Sequence, residues 1–119
     1  MITLDDVRRF SNAFPEVEEF THFRFGQPVF KVAGKPFAGG AGSKGETTAV
    51  FSVSQEEAAK AVADDPAAYE EVWRPGARKS LVGLRVDLAK VSEERVQELV
   101  EHAWRNKAPK RVVSAYDAQ

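Results

Sequence analysis

The sequence predicts an α+β fold in which helices pack on one face of an antiparallel sheet, in the order α-β-β-β-β-α-β-α. Two observations support this class. Capped segments with helical hydrophobic spacing stand near both ends of the chain, and residues 16–53 between them are rich in β-forming residues broken by Gly and Pro. The connections between these strands are short, which favours antiparallel pairing because parallel strands need a long crossover.

The first helix is predicted over residues 4–14. Thr3 is a good N-cap, and Asp6 stands three residues later, as in a capping box. Pro15 is a natural end for the helix. The apolar residues at helical spacing in this stretch are Leu4, Val7, Phe10 and Phe14.

The strands are predicted through residues 16–53. Residues 33–36, with the sequence Ala-Gly-Lys-Pro, are typical of a tight turn between two strands. Residues 39–46 are glycine-rich and indicate a hairpin tip or a glycine-rich strand edge. The next strand is predicted over residues 47–53.

The second helix begins after Ser54, which forms a Ser-x-x-Glu capping box with Glu57. It is Ala-rich and is expected to end near residues 64–66, with the sequence Asp-Asp-Pro. Residues 67–73 are less regular, and we expect a short helical turn there.

The last strand is predicted over residues 81–86, where Leu84 and Val86 share a face. The third helix is predicted from Ser92 to about Lys107. Its apolar face contains Val96, Leu99, Val100, Ala103 and Trp104. The polar tail, residues 108–119, is expected to be frayed, with residues 112–119 flexible.

Composition limits the class of protein. The 119 residues are enough for one domain, and the 43% hydrophobic content is typical of a globular chain. There is no Cys, which excludes disulfides and thiolate chemistry. The N-terminus lacks the pattern of a signal peptide, and no apolar run approaches the ~20 residues of a membrane span. We therefore expect a cytoplasmic protein that does not contact membranes.

No catalytic constellation is found in the sequence. The glycine tract at residues 39–45 lacks the spacing of a phosphate loop, and a strand follows it where such a loop needs a helix. His22 and His102 have no convincing partner ligands for a metal ion. Ser54 and Ser92 are explained as helix caps, and no Gly-x-Ser-x-Gly motif occurs. We expect no enzyme activity, no metal site and no cofactor.

The basic residues occur in three clusters, although 18 acidic residues offset the 17 basic ones. If these clusters meet at one edge of the sheet, they form a surface that binds phosphates. The alternative is scattered charge that keeps the chain soluble. The clusters are Arg74, Arg78 and Lys79; Lys107, Lys110 and Arg111; and Lys31, Lys35 and Lys44.

Residues 25–38 carry a motif with a family resemblance. A Gly-x-Pro-x-Phe strand at residues 26–30 runs into a Gly-Lys-x-Phe-Ala hairpin at residues 34–38. This motif resembles the signature of the MmcQ/YjbR family. The Pro at the end of the first helix, the Ala103-Trp104 pair and the basic tail at residues 107–111 agree with the family pattern.

The resemblance implies a CyaY-like sandwich and DNA binding. We expect the partner to be double-stranded DNA and the protein to be a monomer. The chain departs from the family pattern at residues 49–53, which lack a Lys, and at residues 78–82, which lack a His-Trp pair. The alternative function is binding of a protein or a small ligand by the open face of the sheet. The residues that we expect to contact the nucleic acid backbone are Lys31, Lys35, Arg78, Lys79, Lys107 and Lys110.

Overall fold

A computed structural model describes residues 2–21, 27–40, 47–74 and 80–118. The helices are α1 (Leu4–Ser11), α2 (Gln55–Asp64), α3 (Glu93–Lys107) and α4 (Lys110–Asp117), with a short 3₁₀ helix at Leu88–Lys90. The strands are β1 (Val17–Thr21), β2 (Pro28–Val32), β3 (Lys35–Gly40), β4 (Thr48–Phe51), β5 (Tyr69–Arg74) and β6 (Ser80–Asp87). No helix within the described ranges is long and apolar enough to cross a membrane.

The six strands form one antiparallel sheet in the order β1-β2-β3-β4-β6-β5. Helices α1 and α3 pack on β2, β3 and β4, whereas α2 packs on β5 and β6. The α1, α2 and α3 side chains share one hydrophobic core with one face of the sheet. The predicted α+β class and order of elements are confirmed, and β5 and α4 add to them.

The core lies between the helices and the sheet. Phe30, Phe37 and Phe51 come from β2, β3 and β4 and are fully buried. Leu84 and Val86 of β6 are also fully buried, as their predicted shared face requires. From the helices, the buried side chains include Val7, Ala58, Ala61, Val96, Leu99, Val100, Ala103 and Trp104.

The helix starts are confirmed by their hydrogen bonds. The Ser54 hydroxyl accepts from the Glu57 backbone N–H (3.2 Å), and the Ser92 hydroxyl accepts from that of Arg95 (3.1 Å). At α1, the Thr3 backbone N–H donates to the Asp6 carboxylate (2.9 Å). The predicted end of the first helix near residue 14 is wrong, because α1 ends at Ser11 and the chain then turns toward β1.

The short helical turn predicted at residues 67–73 is wrong. Residues Tyr69–Arg74 form strand β5, which pairs antiparallel with β6. Tyr69, Val72 and Trp73 have high β-propensity, and this long-range pairing gives their backbone groups ladder partners that a single helical turn lacks. The sequence predicted the partner strand over residues 81–86, but no local pattern showed that residues 69–74 pair with it.

The tail expected to be frayed contains a helix. Residues Lys110–Asp117 form α4, in which Val112 is buried in the core. Tyr116 contacts Trp104 of α3, with the ring centroids 5.2 Å apart. The apolar residues that hold α4 are few and separated by polar ones, so the tail looks polar in sequence. The flexibility of residues 112–119 stays a prediction.

Candidate functional site

The sheet face that points away from the helices carries a row of cross-strand partners. Phe20 stands at one edge of the row with 44% of its surface exposed. Arg85 and Glu70 form an ion pair at the opposite edge. The row is therefore aromatic at one end, small and apolar in the middle and charged at the other end. From β1 to β5, its members are Phe20, Val29, Gly39, Val50, Arg85 and Glu70.

Two glycines allow neighbouring backbones to approach closely in this sheet. A Cβ atom at Gly39 would lie 2.9 Å from the carbonyl oxygen of Pro28. A Cβ atom at Gly83 would lie 2.6 Å from the carbonyl oxygen of Phe51. Neither position has room for a side chain without a backbone shift. The surface is consequently lowered at Gly39, in the middle of the row.

A cavity of about 320 Å³ opens on this face, and we call it the basic cavity. Its charged lining residues are Lys35, Arg74 and Lys107, and no carboxylate from the described part of the chain lines it. The cavity thus combines an apolar surface with three positive charges. Its apolar lining includes Val29, Gly39, Val50 and Val82.

Three element ends bring these cations together. Lys35 is the first residue of β3, Arg74 is the last of β5, and Lys107 is the last of α3. Lys35 follows a turn in which Ala33 (φ 51°) and Gly34 (φ 82°) both adopt the left-handed conformation. Residues far apart in sequence therefore meet because antiparallel strands and α3 end at the same side of the sheet.

Hydrogen bonds fix the end of α3 beside the cavity. The Asn106 side-chain amide donates to the carbonyl oxygen of Ser52 (2.8 Å). The Ser52 hydroxyl donates in turn to the carbonyl oxygen of Val82 (3.2 Å), and both residues line the cavity. Lys107 follows Asn106 directly, so these bonds hold its backbone close to β4 and β6.

The cations of the basic cavity differ from most of the other basic residues that the structure describes in their lack of ion pairs. Lys35, Arg74 and Lys107 form no ion pair with any residue in the described ranges. Their charges are not compensated locally and remain available to an anion. The basic residues that do pair with carboxylates are Arg8, Arg9, Arg85, Lys90, Arg95, Arg105 and Arg111.

The structure brings two of the predicted contact residues, Lys35 and Lys107, into one cavity. Lys31 lies outside its lining, on β2, where the ammonium stands 4.6 Å from the centroid of the Phe20 ring. Lys110 is exposed in the first turn of α4 and is also outside the lining. Of the four predicted contact residues that the structure describes, two line the cavity and two lie outside its lining.

Arg78 and Lys79 lie outside the described residues, as does the glycine tract from residue 41 to 46. Their nearest described neighbours in the chain are Arg74 and Ser80. Arg74 belongs to the same basic cluster in the sequence but was not among the predicted contact residues. The basic cluster in the sequence already contained Arg74. Assigning residues 69–74 to a strand would have shown that Arg74 ends an element beside β6.

A larger cavity of about 610 Å³ lies between α2 and α3. Several of its polar side chains are bonded to one another. His102 Nδ1 lies 2.6 Å from a Glu57 carboxylate oxygen, and Arg95 donates to the Tyr69 hydroxyl (3.2 Å) and to Glu98. Among the described residues, no group of three or more His, Asp or Glu side chains is arranged to hold a metal ion. The cavity is therefore a polar cleft between two helices.

Comparisons with known proteins agree with the motif at residues 25–38. The crystal structure of Deinococcus radiodurans protein DR2400, with the family-model domain DUF419, resembles this chain with a TM-score of 0.75 and 18% identity. The match covers 97% of this chain and 88% of that one. A search of curated proteins gives no match. The family model YjbR matches residues 12–106, which is most of the sequence, and the chain therefore belongs to the YjbR family.

Proposed function

We propose that this protein binds DNA through the basic cavity, where Lys35, Arg74 and Lys107 contact backbone phosphates. The observation that carries the proposal is the grouping of three cations in a cavity that no described carboxylate lines. Neutralisation of phosphates by such cations releases condensed counterions, which favours binding without reading the base sequence.

The charge distribution matters more for this proposal than the net charge. The chain carries 17 basic and 18 acidic residues, so its net charge is −1. The Debye length is ~8 Å at physiological ionic strength, and exposed charges beyond it are largely screened. No carboxylate of the described residues lines the cavity, and those more than a Debye length away oppose a phosphate there only weakly. A locally positive site on an almost neutral protein implies weak, salt-sensitive binding.

Four further basic residues extend the proposed contacts beyond the cavity. Lys31 lies on the same face of the sheet, and Lys110 begins α4 close in sequence to Lys107. Arg78 and Lys79 follow Arg74 along the chain. In this proposal they meet phosphates on either side of those bound in the cavity.

Fluorescence anisotropy of a labelled duplex, titrated with the protein at low and at physiological salt, tests the proposal. We expect a dissociation constant of about 10⁻⁴–10⁻⁶ M that rises steeply with salt. The three contacts in the cavity alone correspond to a slope of about −2.7 for the logarithm of the association constant against the logarithm of salt concentration, and the further contacts would make it steeper. The double variant Lys35→Glu/Lys107→Glu should lose measurable binding, because it replaces two attractive charges with repulsive ones.

Lys60→Glu is the matched control for the charge reversals. Lys60 is exposed on α2, on the helical side of the molecule, and forms no ion pair within the described ranges. The Lys60→Glu variant changes the net charge as much as a single Lys→Glu substitution in the basic cavity does, but it leaves the basic cavity unchanged. Equal losses in Lys60→Glu and Lys35→Glu would contradict the proposal, as would the absence of binding at low salt.

The second candidate function is binding of a protein or a small ligand on the same face. Its specific support is the exposure of Phe20 (44%) and Val82 (36%) beside the apolar lining of the basic cavity. Binding that persists unchanged at high salt would favour this candidate, since burial of apolar surface does not depend on counterion release.

A further inference from the structure

We infer that the basic cavity and Phe20 together hold a single strand of nucleic acid in preference to a duplex. This inference rests on the proposed function and specifies its ligand. The inference follows from Phe20, the aromatic side chain at one end of the row of cross-strand partners, and from the apolar surface within the basic cavity.

The position of Phe20 links it to the cavity. Phe20 on β1 is the cross-strand partner of Val29, and Val29 is the partner of Gly39 on β3. Both Val29 and Gly39 line the basic cavity. Since neighbouring strands are ~4.8 Å apart, the Phe20 backbone lies ~10 Å from that of Gly39. One extended strand of nucleic acid laid across the row can therefore reach both the ring and the cavity.

The surroundings of Phe20 suit a nucleotide. The ring is 44% exposed at the edge of the sheet, where an aromatic side chain gains nothing from the core. The Lys31 ammonium stands 4.6 Å from its centroid. A base can stack on the exposed part of the ring while the ammonium contacts the adjoining phosphate. This pairing of an aromatic platform with a cation is the usual arrangement for single-strand binding.

The apolar lining of the basic cavity argues for unpaired bases. A duplex keeps its base faces stacked in its interior and presents phosphates and groove edges to a protein. It would use Lys35, Arg74 and Lys107 but would leave Val29, Val50 and Phe20 uncovered. A single strand presents apolar base faces together with its phosphates, so it satisfies both parts of the surface.

The test compares a labelled thymidine oligonucleotide of about 12 nucleotides with a duplex of the same length, by anisotropy at low and at physiological salt. We expect the single strand to bind about tenfold more tightly, because one base stacks on Phe20 in addition to the phosphate contacts. Phe20→Leu should weaken binding of the single strand about fivefold to tenfold and leave duplex binding unchanged. Phe20→Tyr keeps an aromatic ring at this position and should bind the single strand as tightly as the native sequence does.

Phe20 is exposed on an edge strand, so these variants are expected to fold, and circular dichroism verifies it. Duplex binding that equals or exceeds single-strand binding would overturn the inference but leave the proposed function standing. The inference would also be overturned, with the proposed function still standing, if Phe20→Leu weakened binding of the single strand and of the duplex equally. The same holds if Phe20→Tyr bound the single strand as weakly as Phe20→Leu does. Absence of salt-dependent binding to either ligand would overturn the inference and the proposed function together.

Discussion

Trp104 connects three parts of the molecule through one side chain. Its ring stacks on Phe14, with the centroids 5.0 Å apart, and meets the edge of Tyr116 at 5.2 Å. Its indole N–H donates to the carbonyl oxygen of Pro15 (3.2 Å). The ring is fully buried, and its polar group has a partner, as buried Trp usually requires. This residue thereby joins α3, the segment after α1, and α4.

A second single residue whose environment is tight is Gly83. We expect Gly83→Ala to destabilise the protein by about 1–3 kcal/mol, the usual cost of overpacking. The added Cβ would lie 2.6 Å from the Phe51 carbonyl oxygen and 2.9 Å from Val50 Cγ1, so the β4 backbone must shift. Urea unfolding measures the change in the free energy of unfolding. Ser80→Ala, at an exposed position on the same strand, is the control and should change it by less than about 0.5 kcal/mol.

At the scale of elements, α4 is tied to α3 by charge as well as by packing. The Arg105 guanidinium donates to both carboxylate oxygens of Asp117 (2.9 and 3.1 Å). These hydrogen bonds lower the pKa of Asp117 below its ordinary value of about 3.9. A carboxyl whose pKa is lowered on folding stabilises the folded state above its unfolded-state pKa. That contribution is lost as the pH falls through the folded-state pKa.

We therefore expect the stability difference between the native sequence and Asp117→Asn to be constant above about pH 5 and to shrink below about pH 4. Urea unfolding at a series of pH values measures it. Asp64→Asn is the control, because Asp64 is exposed and has no ion pair within the described part of the chain, so its difference should stay small throughout. A difference for Asp117→Asn that does not change with pH would contradict the assigned role of this ion pair.

The elements that the sequence predicts best are those with local signals. The starts of α2 and α3 follow from Ser54 and Ser92, whose capping bonds involve residues three positions away. Strand β5 was missed because its stability depends on pairing with β6 and not on its own periodicity. Helix α4 was missed because Tyr116 packs on Trp104 of another element and Val112 is buried only in the assembled core.

At the scale of the whole molecule, the candidate site could be predicted only in part, because it too depends on residues of different elements coming together. The basic clusters are visible in the sequence, and Lys35 and Lys107 were both selected from them. Their meeting with Arg74 depends on where β3 begins and where β5 and α3 end, which is a property of the assembled sheet. Gly39 and Gly83 matter because a Cβ atom there would lie 2.9 Å or less from the backbone of a neighbouring strand, which no local pattern reveals.

The strand order has a consequence for folding kinetics. Strands β1 to β4 pair with their neighbours in sequence, and β5 pairs with β6, whereas the β4–β6 ladder closes a loop that contains α2 and β5. Because closing a longer loop costs more chain entropy, contacts between distant segments form more slowly. We expect pulse-labelling hydrogen exchange during refolding to protect the β2–β3 amides before those shared by β4 and β6. Simultaneous protection would instead indicate that the two parts of the sheet nucleate as one unit.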